Sequence, residues 1–160
     1  MHFWRIEQLK TTLKQRSLTT AELLPYVVAV CLASAVVTEG LTYSAKSSVN
    51  VWDYVFSFAS VVLAALGTVY VYRLNGGPEG RDFLERYVVI GWVVVVRWLS
   101  AVLGISLVSG IVAAAFGFSV PEETSWQHVV VYVLGELSLY WLVGKHVRDV
   151  ASSGNDQRVG

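Results

Sequence analysis

The chain has 160 residues, of which 54% are hydrophobic and only 15% charged, and its mean hydropathy is +0.54. That balance lies outside the ordinary soluble range. Lysines and arginines equal aspartates and glutamates at 12 each, and no basic run is interleaved with aromatics, so nucleic acid is not an expected partner.

The apolar residues are segregated into four stretches, about 23–38, 51–72, 87–110 and 126–144. Each is near the roughly 20 residues needed to cross a hydrocarbon core about 30 Å thick. Backbone in hydrocarbon must satisfy its own hydrogen bonds, so four helices are expected. The expected fold class is an all-α integral membrane protein. A four-transmembrane-helix bundle occupies 19–150, preceded by an amphipathic interfacial helix over 1–18 and followed by a disordered cytoplasmic tail over 151–160.

Residues 2–16 carry Phe3, Ile6, Leu9 and Leu13 at helical spacing, with Arg5, Lys10, Lys14 and Arg16 at polar positions. A helix apolar on one side and basic on the other is expected to lie on the cytoplasmic membrane surface as an anchor, with Phe3 and Trp4 in the headgroup region. The single cysteine, Cys31, falls in the first apolar stretch and reads as a small packing residue. It supports neither an intrachain disulfide nor a cysteine metal site. A long polar segment precedes Ala33-Ser34-Ala35, so a spanning helix is expected there rather than a cleaved leader.

Every apolar stretch opens with an oxygen-bearing residue followed three places later by an acid or amide. The pairs are Thr19 with Glu22, Asn50 with Asp53, Asp82 with Glu85, and Thr124 with Gln127. These read as reciprocal helix caps, which accounts for the carboxylates without giving them chemistry. Between the second and third stretches, Gly76 and Gly77 lie close to Arg73, Arg81 and Arg86 and lead into a helix N-terminus. That arrangement reads as a tight turn with positive-inside arginines, and as a possible contact for a lipid headgroup or partner. From Tyr87 to Phe118 the third helix would be about 48 Å long, so a kink or end is expected at Ser109-Gly110.

Charge sets the orientation. With the N-terminus in the cytoplasm, Arg73, Arg81, Arg86, Lys145, Arg148, Arg158 and the basic residues of 2–16 share that side, and only Lys46 falls opposite. Both termini are therefore expected in the cytoplasm, in a multi-pass protein of a bacterial inner membrane.

Apart from the cap residue Asp53, two charges lie inside the apolar stretches. Arg97 follows Arg86 by 11 residues and Glu136 precedes Lys145 by 9, which puts them about 16 Å and 14 Å into the membrane. The third and fourth helices are sequential and antiparallel, so Arg97 and Glu136 are expected to form an intramembrane ion pair. An unpaired charge at that depth costs about 2.5–3.5 kcal/mol. Alternatively, Arg97 meets an acid on a partner and Glu136 points elsewhere. His128, Tyr132, Glu136 and Tyr140 recur every four residues as a polar stripe, faced by Arg97, Ala101 and Gly104 and by Ser57, Ser60, Ala64 and Gly67.

No paired histidines stand at metal spacing, there are no adjacent catalytic carboxylates, and Gly-x-Ser-x-Gly is absent. The expectation is a non-enzymatic protein without cofactor or metal, a subunit or partner-binding protein of a membrane complex. Its partners would be the lipid bilayer and other membrane subunits. The alternatives are a homo-oligomeric channel or proton-coupled transporter lined by the His128-Tyr132-Glu136 stripe, and a membrane-resident immunity or inhibitor protein.

Overall fold

The computed structural model describes residues 6–15, 17–43, 49–117 and 123–156, excluding the side chains of 20, 21, 31, 35–43 and 153–156. Phe3, Trp4, Arg5, Arg16, Lys46, Phe118 and Arg158, like the side chain of Cys31, lie outside that description. The described elements are all helical: α1 (Ile6–Gln15), α2 (Thr20–Tyr43), α3 (Val51–Leu74), a short 3-10 turn (Gly77–Glu79), α4 (Phe83–Ala115) and α5 (Trp126–Asp156). Two of them, α3 and α4, are long and apolar enough to cross a membrane, with mean hydropathies of 1.9 and 2.2 over their most apolar windows.

Helix α5 is the centre of the arrangement. It packs against α3 on one side and α4 on the other, α2 packs on α4, and α1 touches both α4 and α5. The buried and half-buried positions of α5 explain this: Val129, Tyr132, Glu136, Leu139, Val143, His146 and Val150 recur at spacings of three and four and form a continuous stripe. On α3 the matching line is Asp53, Phe56, Ser60, Leu63, Gly67, Val71 and Leu74. Helices α3 and α5 run in the same direction, since Asp53 meets Thr124 just ahead of α5 and Leu74 meets Gly144 near its middle.

Two of the expected caps form. Glu22 accepts the Thr19 N–H at 2.9 Å, and Asn50 and Asp53 make a full reciprocal box at the start of α3. The other two shift. Asp82 has φ 52° and does not cap α4. Instead its carboxylate accepts the Ser17 hydroxyl at 2.9 Å, and Glu85 accepts the Leu18 N–H at 2.6 Å. At α5 the Thr124 hydroxyl is spent on Asp53 at 2.7 Å, so Ser125 serves the helix start, with its N–H donated to His128 Nδ1 at 3.1 Å.

Three features of the helices bear on the expected extents. Helix α4 continues through Ser109 and Gly110 and ends at Ala115, where Gly117 turns with φ +70°. Of the region expected to be a tail, 151–156 continues α5, whose Val147 and Val150 are fully buried, and 157–160 lie outside the described residues. And α1 buries its apolar side within the chain: Ile6, Leu9 and Leu13 are 4%, 2% and 5% exposed, joined in one core with Val89, Ile90 and Val147.

That core gathers at one end of the helices, where α1, the start of α2, the end of α3, the start of α4 and the end of α5 meet. Toward the other end the described contacts include those of α3 with α5 at Asp53 and Thr124 and at Phe56 and Tyr132. The accessible surface is 11118 Å² for 17.6 kDa, against about 7,900 Å² for a compact soluble monomer of that mass. Much of the excess is apolar, carried by side chains such as Leu32, Phe58, Leu103, Ile105, Leu107 and Ile111.

Candidate functional site

The site begins with the contact between α4 and α5. Trp98 points its indole at α5, where Nε1 donates to Ser138 Oγ at 3.0 Å and the ring edge covers Gly135. Gly135 has no side chain to hold the ring away, and Ser138 supplies an acceptor one turn on. The two helices therefore meet at the level of Arg97 on α4 and Glu136 on α5.

The face differs by one residue. A helix turns about 100° per residue, so with Trp98 directed at α5, Arg97 points away and is exposed. The structure does not bring Arg97 and Glu136 together. Among the described residues, the ion pairs are Lys10 with Glu7 and Lys10 with Asp149. Glu136 is half-buried on α5, on the stripe that also carries Tyr132.

Arg97 marks a boundary on α4. From Glu85 to Val96 every residue is buried or half-buried; from Arg97 to Gly117 every residue is exposed except Trp98, Val102 and Ala113, which are half-buried. These three lie along one narrow line. Ala101 and Gly104, expected to face the seam with Arg97, are exposed with it, and a methyl group added at Gly104 would meet open space.

The α5 stripe holds in part. Tyr132 stacks on Phe56 with ring centroids 4.2 Å apart, and Tyr140 lies over Gly67 of α3. Ser60 and Gly67 are on the contact line, whereas Ser57 and Ala64 are exposed. His128 is exposed and engaged with Ser125 at the start of α5, so it stands apart from the half-buried tyrosines.

The arginine and glycine turn is shaped by two glycines and held by Asn75. Gly76 and Gly77 take positive φ of 105° and 58°, which only glycine adopts at little cost. Asn75, 2% exposed, donates to Arg81 O at 3.1 Å and accepts from Arg86 at 3.0 Å. Arg73 and Arg81 are exposed. Asp82 and Glu85 put two carboxylates at the start of α4 and bind residues 17 and 18 there, so that N-terminus is filled from within the chain.

Sequence reasoning missed a polar cluster at the closed end. Lys10 of α1 reaches Asp149 of α5 at 3.0 Å and Glu7 at 3.3 Å. The Lys10 hydrogen bond holds the Asp149 carboxyl below its ordinary value. Lys10 is itself held above its ordinary value: burial pulls it down, and the hydrogen bonds to Asp149 and Glu7 outweigh that. Beside them, His146 is pushed down, first by burial and then by the Lys10 charge. Helical spacing gave a signal for it, since His146 and Asp149 are three apart on α5 and Lys10, though read at a polar position, follows Ile6 by four and precedes Leu13 by three.

Comparisons of the chain with family models, with curated proteins and with solved structures give no match.

Proposed function

We propose that the chain is a multi-pass protein of the bacterial inner membrane, with α2 to α5 as a four-helix membrane bundle and both termini cytoplasmic, and that it works without catalysis as a partner-binding subunit of a membrane complex. The observation that carries the reading is the exposed Arg97. It lies 14 residues from Phe83 and 18 from Ala115, so about 21 Å of helix precedes it and about 27 Å follows. Around it are the exposed apolar side chains Leu99, Leu103 and Ile105.

Surfaces of this kind suit lipid everywhere except at the arginine. A guanidinium at mid-depth rarely faces hydrocarbon and marks a pathway or a protein contact. With Glu136 of the same chain turned elsewhere, the fitting neighbour is a carboxylate on another membrane-spanning helix, approaching over Ala101 and Gly104, where small side chains allow close contact. Arginine suits such a contact because its planar fork holds a carboxylate with two parallel hydrogen bonds.

The test is native mass spectrometry of the tagged protein extracted gently from its own cells, alongside Arg97→Leu. The expected result is stoichiometric association with a different chain that is lost in the variant, while the variant alone keeps its helical content. Association that survives Arg97→Leu would sink the arginine contact. A pure ring of identical chains would favour the homo-oligomeric channel, whose signature is a liposome flux abolished by Glu136→Gln.

A further inference from the structure

We propose that α1 is a releasable membrane-surface helix: docked on α4 and α5, it leaves that site when His146 takes up a proton and lays its apolar side on anionic lipid headgroups. The inference rests on the membrane reading above for the presence of a nearby lipid surface. It explains why a helix of interfacial composition is found buried against its own chain.

The docked state is held by three apolar side chains and a compact charge cluster. Ile6, Leu9 and Leu13 are removed from solvent. Lys10, with its side chain only 10% exposed, spans from Glu7 to Asp149. His146, one turn before Asp149 on α5, is half-buried. Its Nδ1 is buried and finds no hydrogen-bond partner among the described residues. A neutral imidazole tolerates that as an unused acceptor; an imidazolium there has an N–H with nowhere to donate and a positive charge next to Lys10.

The groups that act on this cluster come from both sides. From α1 they are Glu7, Lys10 and Lys14, and from α5 they are Lys145 and Asp149. On α4, Asp82 and Glu85 are engaged with residues 17 and 18, and Arg86 with Asn75. Three lysines, Lys10, Lys14 and Lys145, thus stand against the carboxylates of Glu7 and Asp149, and Lys10 already engages both.

Docking holds the His146 proton more weakly than the ordinary value of 6.5. The docked state is thus at full strength above that value, weakens as pH falls below it, and levels off below the docked-state value. Asp149 is held below its ordinary 3.8 and stays ionised through this window, so it does not supply the response. Lys10 is raised from 10.5 and stays charged throughout. Once free, α1 presents Ile6, Leu9 and Leu13 beside Lys10 and Lys14, a pattern that binds anionic lipid surfaces.

The experiment is a pulsed electron-spin distance measurement between labels at Gln8→Cys and Leu84→Cys, both exposed positions, in a Cys31→Ser background. The full chain is placed in nanodiscs containing phosphatidylserine. Between about pH 7.5 and 5.5 a longer-distance population should rise by up to about tenfold, the limit for one proton linked over that range. His146→Gln should stay docked at the lower pH, and Lys10→Ala should be released at the higher one. An unchanged distance, or the same rise in His146→Gln, would overturn the proposal. So would equal release in discs of phosphatidylcholine alone, which removes the anionic surface as partner. Should His146→Gln not fold, the imidazole shift of His146 in the native chain must titrate with the same midpoint as release, and a separate midpoint counts against it. Failure of the chain to enter nanodiscs at all would count against the membrane reading, and the pH response of the distance in detergent would then still decide the release.

Discussion

The contact between α3 and α5 makes a prediction whose sign separates packing from helix propensity. In the middle of a helix, replacing glycine by alanine normally stabilises by about 0.5–1 kcal/mol. At Gly104 and Gly110 the added methyl group meets open space, so Gly104→Ala and Gly110→Ala should show that gain. At Gly67 the methyl lands on Cγ of Tyr140 and 2.5 Å from both Cδ atoms. These atoms are the root of the ring rather than a flexible end, so relief requires a new rotamer for Tyr140 or a wider helix spacing. Overpacking of that kind costs about 1–3 kcal/mol. Because the propensity gain is common to the series, Gly67→Ala should be about 1–3 kcal/mol less stable than Gly104→Ala. Equilibrium unfolding in mixed micelles, followed by far-ultraviolet circular dichroism, measures the difference directly. Gly144→Ala should fall between them, since its methyl meets Leu74 Cδ1 at 2.7 Å and Tyr70 Cε1 at 2.8 Å, the far ends of side chains that can swing aside. If Gly67→Ala is as stable as Gly104→Ala, α3 and α5 do not pack through Tyr140 and Gly67.

Two further predictions use the same unfolding measurement. Trp98→Phe removes the hydrogen bond to Ser138 and should cost about 0.5–1 kcal/mol; Ser138→Ala should cost about the same, and the double variant little more than either, whereas additive losses would mean that the two do not interact. Asp53→Ala removes the acceptor of both the Asn50 N–H and the Thr124 hydroxyl, with an expected loss of about 1.5–3 kcal/mol. Thr124→Val should lose less because the cap of α3 survives, and an Asp53→Ala variant as stable as the native chain would show that neither bond contributes.

Much of the fold was legible because it depends on spacing along one helix. The apolar stretches mark the helices, and the boxes at Thr19 and Asn50 form with their side-chain oxygens turned to their own helix starts. The boxes at Asp82 and Thr124 fail for a shared reason: a distant group competes for the same oxygen. Ser17 takes the carboxylate of Asp82, and Asp53 takes the hydroxyl of Thr124. Likewise α1 has the pattern of an interfacial helix, and that pattern is equally satisfied by a protein groove. Leu9 and Leu13 bury as well against α4 and α5 as in lipid, and local periodicity does not distinguish the two. What does distinguish them is Asp149, a partner 139 residues away for Lys10.

The same limit explains Arg97. Counting residues from Arg86 gives its level along α4, because rise per residue is nearly constant, and α4 meets α5 at that level through Trp98 and Ser138. Rotation about the helix axis is set by a competition among neighbouring residues for the contact, and the sequence offers both Arg97 and Trp98 to α5. Trp98 wins because Gly135 leaves a flat place for the indole and Ser138 answers its N–H, while the guanidinium would need a carboxylate at that spot. A half-buried indole with its one donor satisfied costs nothing in desolvated charge; a buried arginine and glutamate would each have to be desolvated first. The bundle thus closes on a neutral contact and leaves its only mid-helix cation of α4 facing outward, where a second chain with an acid at the same depth has the most to gain from binding.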